Sequence, residues 1–246
     1  MKIRYPHFMF ILCLSISFFS CDSENAGDCF KKTGDVINRE FSLEPFHSIV
    51  VIDEADVYLE NGNDQRVMVK AGKNLIPDIH FDVKDSILTI TNNNRCNWVR
   101  TPGNPGIYIQ NDRLRKIEIY DYVNFYSPDS LRLNILKIYS DGTGNFDLKL
   151  DVDSLQIESI YISNFKLAGR VDFLEIRFTD DSQFDGKELI SEYNAIHHGG
   201  SNLIELFPIK ELTGELTSTG SLCYFHTPEI LDVEISHTGQ LINCSD

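Results

Sequence analysis

A spacing of nineteen residues recurs through the C-terminal half of this chain, and it limits the fold more than any other feature. A phenylalanine or leucine follows each small polar turn at Phe125, Phe146, Phe165, Phe184, Leu203, Leu222 and Leu241, in one step of 21 and then five of 19. The residue before each anchor is Asn124, Asn145, Asn164, Gln183, Asn202, Ser221 or Gln240. Ten residues before the anchors stand Leu136, Leu155, Leu174, Tyr193, Leu212 and Leu231. Eight before stand Ile138, Ile157, Ile176, Ala195, Gly214 and Val233, and six before stand Ser140, Ser159, Phe178, His197, Leu216 and Ile235. These columns are mostly apolar and share one parity. The positions between them, among them Lys137, Gln156, Glu175, Arg177, Glu215 and Glu234, are mostly polar. Alternation with period two describes a strand with one buried and one wet face.

A unit of about 19 residues cannot bury its apolar side alone, so the units must stack. Parallel strands set ~4.8 Å apart place equivalent residues above one another. The expected fold is therefore an all-β solenoid with Phe165 and Leu203 facing inward, and with amide side chains hydrogen-bonding along the stack. An antiparallel sandwich with evenly spaced turns competes with it, but gives no reason for side-chain identity to repeat so regularly. Residues 35–112 are less regular. Strands are expected at residues 49–52, 57–59, 67–69 and 87–90, punctuated by Gly62, Gly72, Pro77 and the Pro/Gly-rich run at 102–106. With no compositional break to mark a linker, residues 35–246 read as one solenoid domain, irregular over 35–112 and regular over 113–246.

The N-terminus is a separate matter. Lys2 and Arg4 precede an apolar run over residues 8–19, too short to span a ~30 Å hydrocarbon layer but suited to a signal peptide. A polar stretch follows directly. The junction Ser20-Cys21 resembles the lipobox of bacterial lipoproteins, in which the cysteine is acylated and becomes the new N-terminus; Phe18 stands where that motif usually has Leu. The resemblance implies a signal peptide over 1–20, a lipidated tether over 21–34, and a mature chain held on the outer membrane through Cys21. Loss of residues 1–20 removes Lys2 and Arg4 and no acid, so the net charge moves from −15 to −17. Such a charge repels phosphate backbones and argues against nucleic-acid binding. Cys29, Cys96, Cys223 and Cys244 remain in an oxidising compartment, where four cysteines allow three pairings. Cys29–Cys96 and Cys223–Cys244 are the pairings expected here.

The order of motifs resembles the head GIN domain family of autotransporter-adhesin-like proteins. The shared features are the lipoprotein signal, Cys29, Phe46 with Ile49, the segment Val67-Met68-Val69-Lys70-Ala71 followed by Asn74-Leu75, and Cys96-Asn97-Trp98. Glycine-bearing turns at residues 141–145, 218–221 and 237–240 complete the pattern, although the turns before Phe125, Phe165 and Phe184 lack glycine. The resemblance implies a right-handed parallel β-helix-like solenoid. The family supplies no catalytic residues to carry over.

No residue constellation in the sequence assembles a catalytic site. Glycosidic chemistry needs two carboxylates ~5–10 Å apart on one face. Asp121 and Asp180 share a column but lie three rungs apart. Glu215 and Glu234 fall on adjacent rungs of the wet face, where solvated surface glutamates are the plainer explanation. His197, His198 and His237 do not converge with metal-ligand spacing. Asp151, Asp153, Asp180 and Asp181 could touch a calcium ion in a turn, but none fits a calcium-loop motif, so neither metal nor cofactor is expected. Two function classes remain. One is a non-enzymatic envelope binding scaffold, with glycans or envelope proteins as partners. The other is a carbohydrate-active β-helix enzyme, a lyase or hydrolase.

Overall fold

The computed structural model describes residues 32–94 and 104–245. The signal segment, Cys21, Cys29 and Cys96 lie outside the described residues. Seventeen strands follow in chain order: β1 (Val36–Phe41), β2 (Ser48–Val51), β3 (Ala55–Glu60), β4 (Arg66–Gly72), β5 (Ile79–Lys84), β6 (Ile87–Asn92), β7 (Gly106–Gln110), β8 (Lys116–Ile119) and β9 (Val123–Tyr126). Then come β10 (Leu131–Ser140), β11 (Gly144–Ser159), β12 (Ser163–Phe178), β13 (Gln183–His198), β14 (Leu203–Leu216), β15 (Ser221–Tyr224), β16 (Ile230–Ile235) and β17 (Leu241–Asn243). From β8 onward each rung lies parallel on the one before it, so the chain is a β-solenoid and the sandwich is excluded.

Each regular rung holds two runs joined by a corner. In β11 the buried residues are Phe146, Leu148, Leu150 and Val152, and then Leu155 and Ile157. The alternation shifts by one residue at the corner, and Asp153 drops out of the ladder. The same shift occurs in β12 between Val171 and Leu174. Inside the stack, equivalent side chains meet. Phe125, Phe146 and Phe165 lie nearly flat on one another, with centroids 5.4 Å and 4.8 Å apart. Polar residues in this dry interior find each other: Ser140 and Ser163 hydroxyls are 2.6 Å apart, and Ser182 donates to Ser159 at 2.8 Å. Beside the turns the expected amide ladder is present. Asn164 donates to Asn145 at 2.9 Å, Asn145 to Asn124 at 2.7 Å, and Asn124 to Asp56 at 2.7 Å.

The N-terminal region contributes both rungs and a cap. β2 lies parallel between β6 and β8, and β3 parallel between β7 and β9. Chain order and stacking order therefore differ here. The rung β6–β7, which follows β2–β3 in sequence, lies outside it in the stack. Beyond that rung the pairing turns antiparallel, with β5 on β6, β4 on β7 and β1 on β4. Phe41 of β1 meets Phe81 of β5 at 4.7 Å, and both pack against the core to close this end. Antiparallel strands bearing Arg39, Lys70 and Lys84 blunt an edge that would otherwise accept another rung.

One stretch of the expected columns needs correction. Leu203 faces outward and is 43% exposed, and Ile204, at 0%, occupies the phenylalanine column opposite Phe184. Tyr193, Ala195 and His197 likewise face outward, and Asn194, Ile196 and His198 are buried. The cause is a β-bulge in β13. Lys166 pairs with Asp185, but Ala168 pairs with Glu188, so one extra residue enters around Gly186 and Lys187. The offset between rungs grows from 19 to 20. β14 then runs short, pairing Asn194 with Leu212 at an offset of 18, and the two changes cancel. At Gly214 the backbone adopts φ +139, and a Cβ there would lie 1.8 Å from the Ile196 carbonyl oxygen, so glycine is required.

His198 is the one titratable side chain brought fully inside by this shift. Its Nε2 lies 2.7 Å from the Asn202 carbonyl oxygen, which can only accept, so Nε2 carries the proton. Nδ1 is buried without a partner. Burial pushes the imidazole below its ordinary value, outweighing the opposite pull of the Asn202 hydrogen bond and of Asp181.

Two predictions follow from the register. Ile204→Ala should cost ~2–5 kcal/mol in urea unfolding, the range for large-to-small core changes, and Leu203→Ala within ~0.5 kcal/mol; the reverse ranking would refute the shifted register. For His198, the native state binds fewer protons than the unfolded chain once pH drops below the unfolded imidazole value of ~6.5. Its contribution is complete above that pH and is lost progressively as pH falls from there through the lowered native-state value. In His198→Gln, the slope of urea midpoint against pH between 7 and 5 should flatten by one titrating group; an unchanged slope would show that His198 does not titrate in that window.

Candidate binding face

The second run of each rung turns alternate residues to solvent, and three outward columns result. At the corner, Ile135, Ser154, Phe173, Tyr193, Glu211 and Ile230 stand in register. Phe173 is 57% exposed and Tyr193 37%, and their rings stack 5.1 Å apart at 13°. A solvated phenylalanine stacked on a tyrosine is a flat apolar platform. Lys210 lies 5.3 Å from the Tyr193 centroid, at cation–π distance. Its ammonium is held 2.9 Å from Glu192, and that hydrogen bond raises it above the ordinary lysine value.

Beside the platform, planar polar side chains line two shallow hollows of about 290 Å³ and 410 Å³. Gln156 donates to one oxygen of Glu175 at 3.0 Å, and Arg177 approaches the other at 3.4 Å. Glu158 stands opposite Arg177 in register, but the guanidinium pairs with Glu175 two residues away on its own strand. His197 Nδ1 lies 2.6 Å from Glu215, which stands in register with Glu234 on the last rung. At the other end of the column, burial acts to raise Glu118, but hydrogen bonds from Lys116 and Tyr120 outweigh it and hold the carboxyl low. The same hydrogen bond to Glu118 drives the Tyr120 phenol up to about 12.

The other residues singled out in the sequence are spread around the solenoid. His197 and His198 are neighbours on opposite faces, and His237 lies exposed in a turn near the C-terminus. Asp181 is occupied in pinning a turn, accepting from the Ser201 amide at 2.7 Å and hydroxyl at 2.6 Å. Asp151 lies 4.0 Å from Arg132. Among the described residues no group of three or more His, Cys, Asp or Glu side chains is placed to hold a metal. Cys223 and Cys244 are joined by a disulfide with Cα atoms 5.8 Å apart, tying β15 to the segment after β17.

Sequence reasoning missed the platform. Its strict alternation placed Tyr193 inside and gave Phe173 no role. The available signal was the pair Phe173-Leu174, two adjacent large apolar residues where one alternating face permits only one.

The fold is shared with solved bacterial proteins. A protein from Bacteroides fragilis described as a "putative adhesin" superposes with a TM-score of 0.75 at 19% identity, over 85% of this chain and 97% of that one. A "putative lipid binding protein" from Parabacteroides distasonis gives 0.59 at 14% identity, over 85% and 98%. A second protein from that organism, a "putative adhesin", gives 0.59 at 15%, also over 85% and 98%. No protein with a curated description matches the sequence. The family model described as "Putative auto-transporter adhesin, head GIN domain" matches residues 45–228, which run from the first rung through β15, and the chain belongs to that family.

Proposed function

We propose that this protein is a non-catalytic binding scaffold of the cell envelope, anchored in the outer membrane by acylated Cys21, and that its corner face takes an extended glycan. The observation that carries the reading is the exposed Phe173–Tyr193 stack beside a row of planar polar side chains. A sugar ring offers apolar C–H faces and equatorial hydroxyls. The first suit an aromatic platform; the second suit Gln156, Glu175, Arg177 and His197, whose groups donate and accept in a plane. The parallel register sets successive rungs ~4.8 Å apart, so these different groups line up in a row along the axis, which favours a linear chain over a compact ligand. Adhesin-like family membership and the net negative charge agree with an envelope role and disfavour nucleic acid as partner.

The register of Glu215 with Glu234 keeps one enzymatic reading open, since adjacent parallel strands place carboxyls about 5 Å apart, near the separation of retaining glycosidases. Glu215 already accepts from His197, which favours a positioning role over proton transfer.

Glycan-array screening of the soluble mature chain, residues 22–246, should identify linear glycans. Phe173→Ala with Tyr193→Ala should weaken the best of them about tenfold or more, ~1.4 kcal/mol, with unchanged melting. Binding that survives the double substitution would move the site elsewhere. Glycan cleavage abolished by Glu234→Gln would replace the scaffold reading with the enzymatic one. For the anchor, metabolic labelling with a palmitate analogue should tag the wild type and not Cys21→Ala; equal labelling of both would exclude lipidation there.

A further inference from the structure

The two ends of the solenoid are built differently. At the N-terminal end, antiparallel strands cover the stack. At the other end, among the described residues, β16 pairs only with β14 and β17 only with β15. The outer backbone edge of β16 therefore carries unpaired N–H and C=O groups. Its inward column is uncovered as well. Leu212 and Leu216 are 0% exposed, and their equivalents one rung further, Leu231 and Ile235, are 38% and 43% exposed. β16 has no lysine, proline or bulge, and the charges it carries are acidic, which guard the edge against another acidic strand and leave it open to a basic one. Its outward side chains include Asp232 and Glu234, and neither joins an ion pair among the described residues. Glu215 stands directly behind Glu234.

We infer that β16 is a strand-addition site for an extended segment of a partner protein in which apolar residues alternate with lysine or arginine. The apolar residues would cover Leu231, Val233 and Ile235, as the next rung of the core would. The basic residues would lie outside against Asp232 and Glu234, where opposite charges across a strand pair stabilise it. Main-chain hydrogen bonds would supply affinity, and the charge pattern selection. A second copy of this chain fits poorly. A two-fold antiparallel pairing centred on residue 232, 233 or 234 keeps the apolar sides together, and each of these registers sets carboxylate against carboxylate, which is destabilising.

The test uses synthetic octapeptides and the soluble mature chain, residues 22–246, with binding followed by calorimetry and amide hydrogen exchange. A peptide alternating valine and lysine should bind and slow exchange in β16. One alternating valine and glutamate should not. Asp232→Lys with Glu234→Lys, both on the exposed face, should weaken the lysine peptide about tenfold or more and admit the glutamate one. A lysine peptide with two central prolines should fail, because it cannot complete the ladder. Equal binding of the proline peptide would reduce the interaction to surface charge and overturn strand addition. Unchanged exchange in β16 would overturn the location. Sedimentation of the protein alone as a dimer that the double lysine substitution disrupts would assign the edge to a second copy.

Discussion

One constraint underlies the whole molecule: a rung of about nineteen residues has an apolar side too small to bury by itself, and only another rung in register can cover it. Like side chains therefore end up on like. Phe125, Phe146 and Phe165 stack as a column because each supplies the flat surface the next one needs. Serine follows the same rule for a different reason. Inside a dry stack a hydroxyl has no water, so Ser140, Ser159, Ser163 and Ser182 serve as one another's partners. The asparagine ladder along the turns does the same at the margin of the core and ends on the carboxylate of Asp56.

Because the rule is local and repetitive, much of the fold could be read from the sequence. The period, the alternation and the amide column all lie in plain view. Three features did not. The first is the exchange of order at the N-terminus, where β2–β3 sits between β6–β7 and β8–β9. Periodicity reports what repeats along the chain, and a rung that stacks out of order leaves no mark at nineteen residues. The second is the bulge at Gly186 and Lys187. An added residue in β13 and a shortened β14 restore the period by Leu222, so the nineteen-residue spacing persists in the sequence while Leu203 and the columns before it change faces. Ile196 and Ile204, passed over for Ala195 and Leu203, were the evidence: moving the frame by one residue aligns better core formers. Residues 1–31 carry the lipoprotein resemblance, and that reading stands on the sequence alone.

The corner was illegible for a third reason. Strict alternation assumes a flat strand, and β11, β12 and β13 each bend. Where the chain turns from one run to the next, the parity resets and an extra residue faces solvent. Such positions are freed from the stacking rule. Ile135, Ser154, Phe173, Tyr193 and Glu211 occupy equivalent places with no common chemistry. Variation concentrated there leaves the core undisturbed, which makes the corner the natural place for a solenoid to carry specificity.

The bulge and the aromatic platform are physically one feature. With an offset of 19 between β12 and β13, Phe173 would meet Glu192; at the offset of 20 it meets Tyr193, and the aromatic platform forms. The same residue shift carries His197 outward, opposite Arg177 and onto Glu215, and drives His198 into the core. A buried imidazole with an unpartnered Nδ1 is a cost to stability, and it comes directly from the displacement that assembles the exposed face. Bulges often serve to re-aim side chains near functional sites. Here the re-aimed set is Tyr193, Ala195 and His197, and its inner counterpart, Asn194, must be satisfied by Ser191 and the Glu211 carbonyl to remain inside. The repeat thus departs from its own rule at one rung, bears a buried polar cost there in the same displacement that forms the exposed aromatic stack, and returns to phase by Leu222.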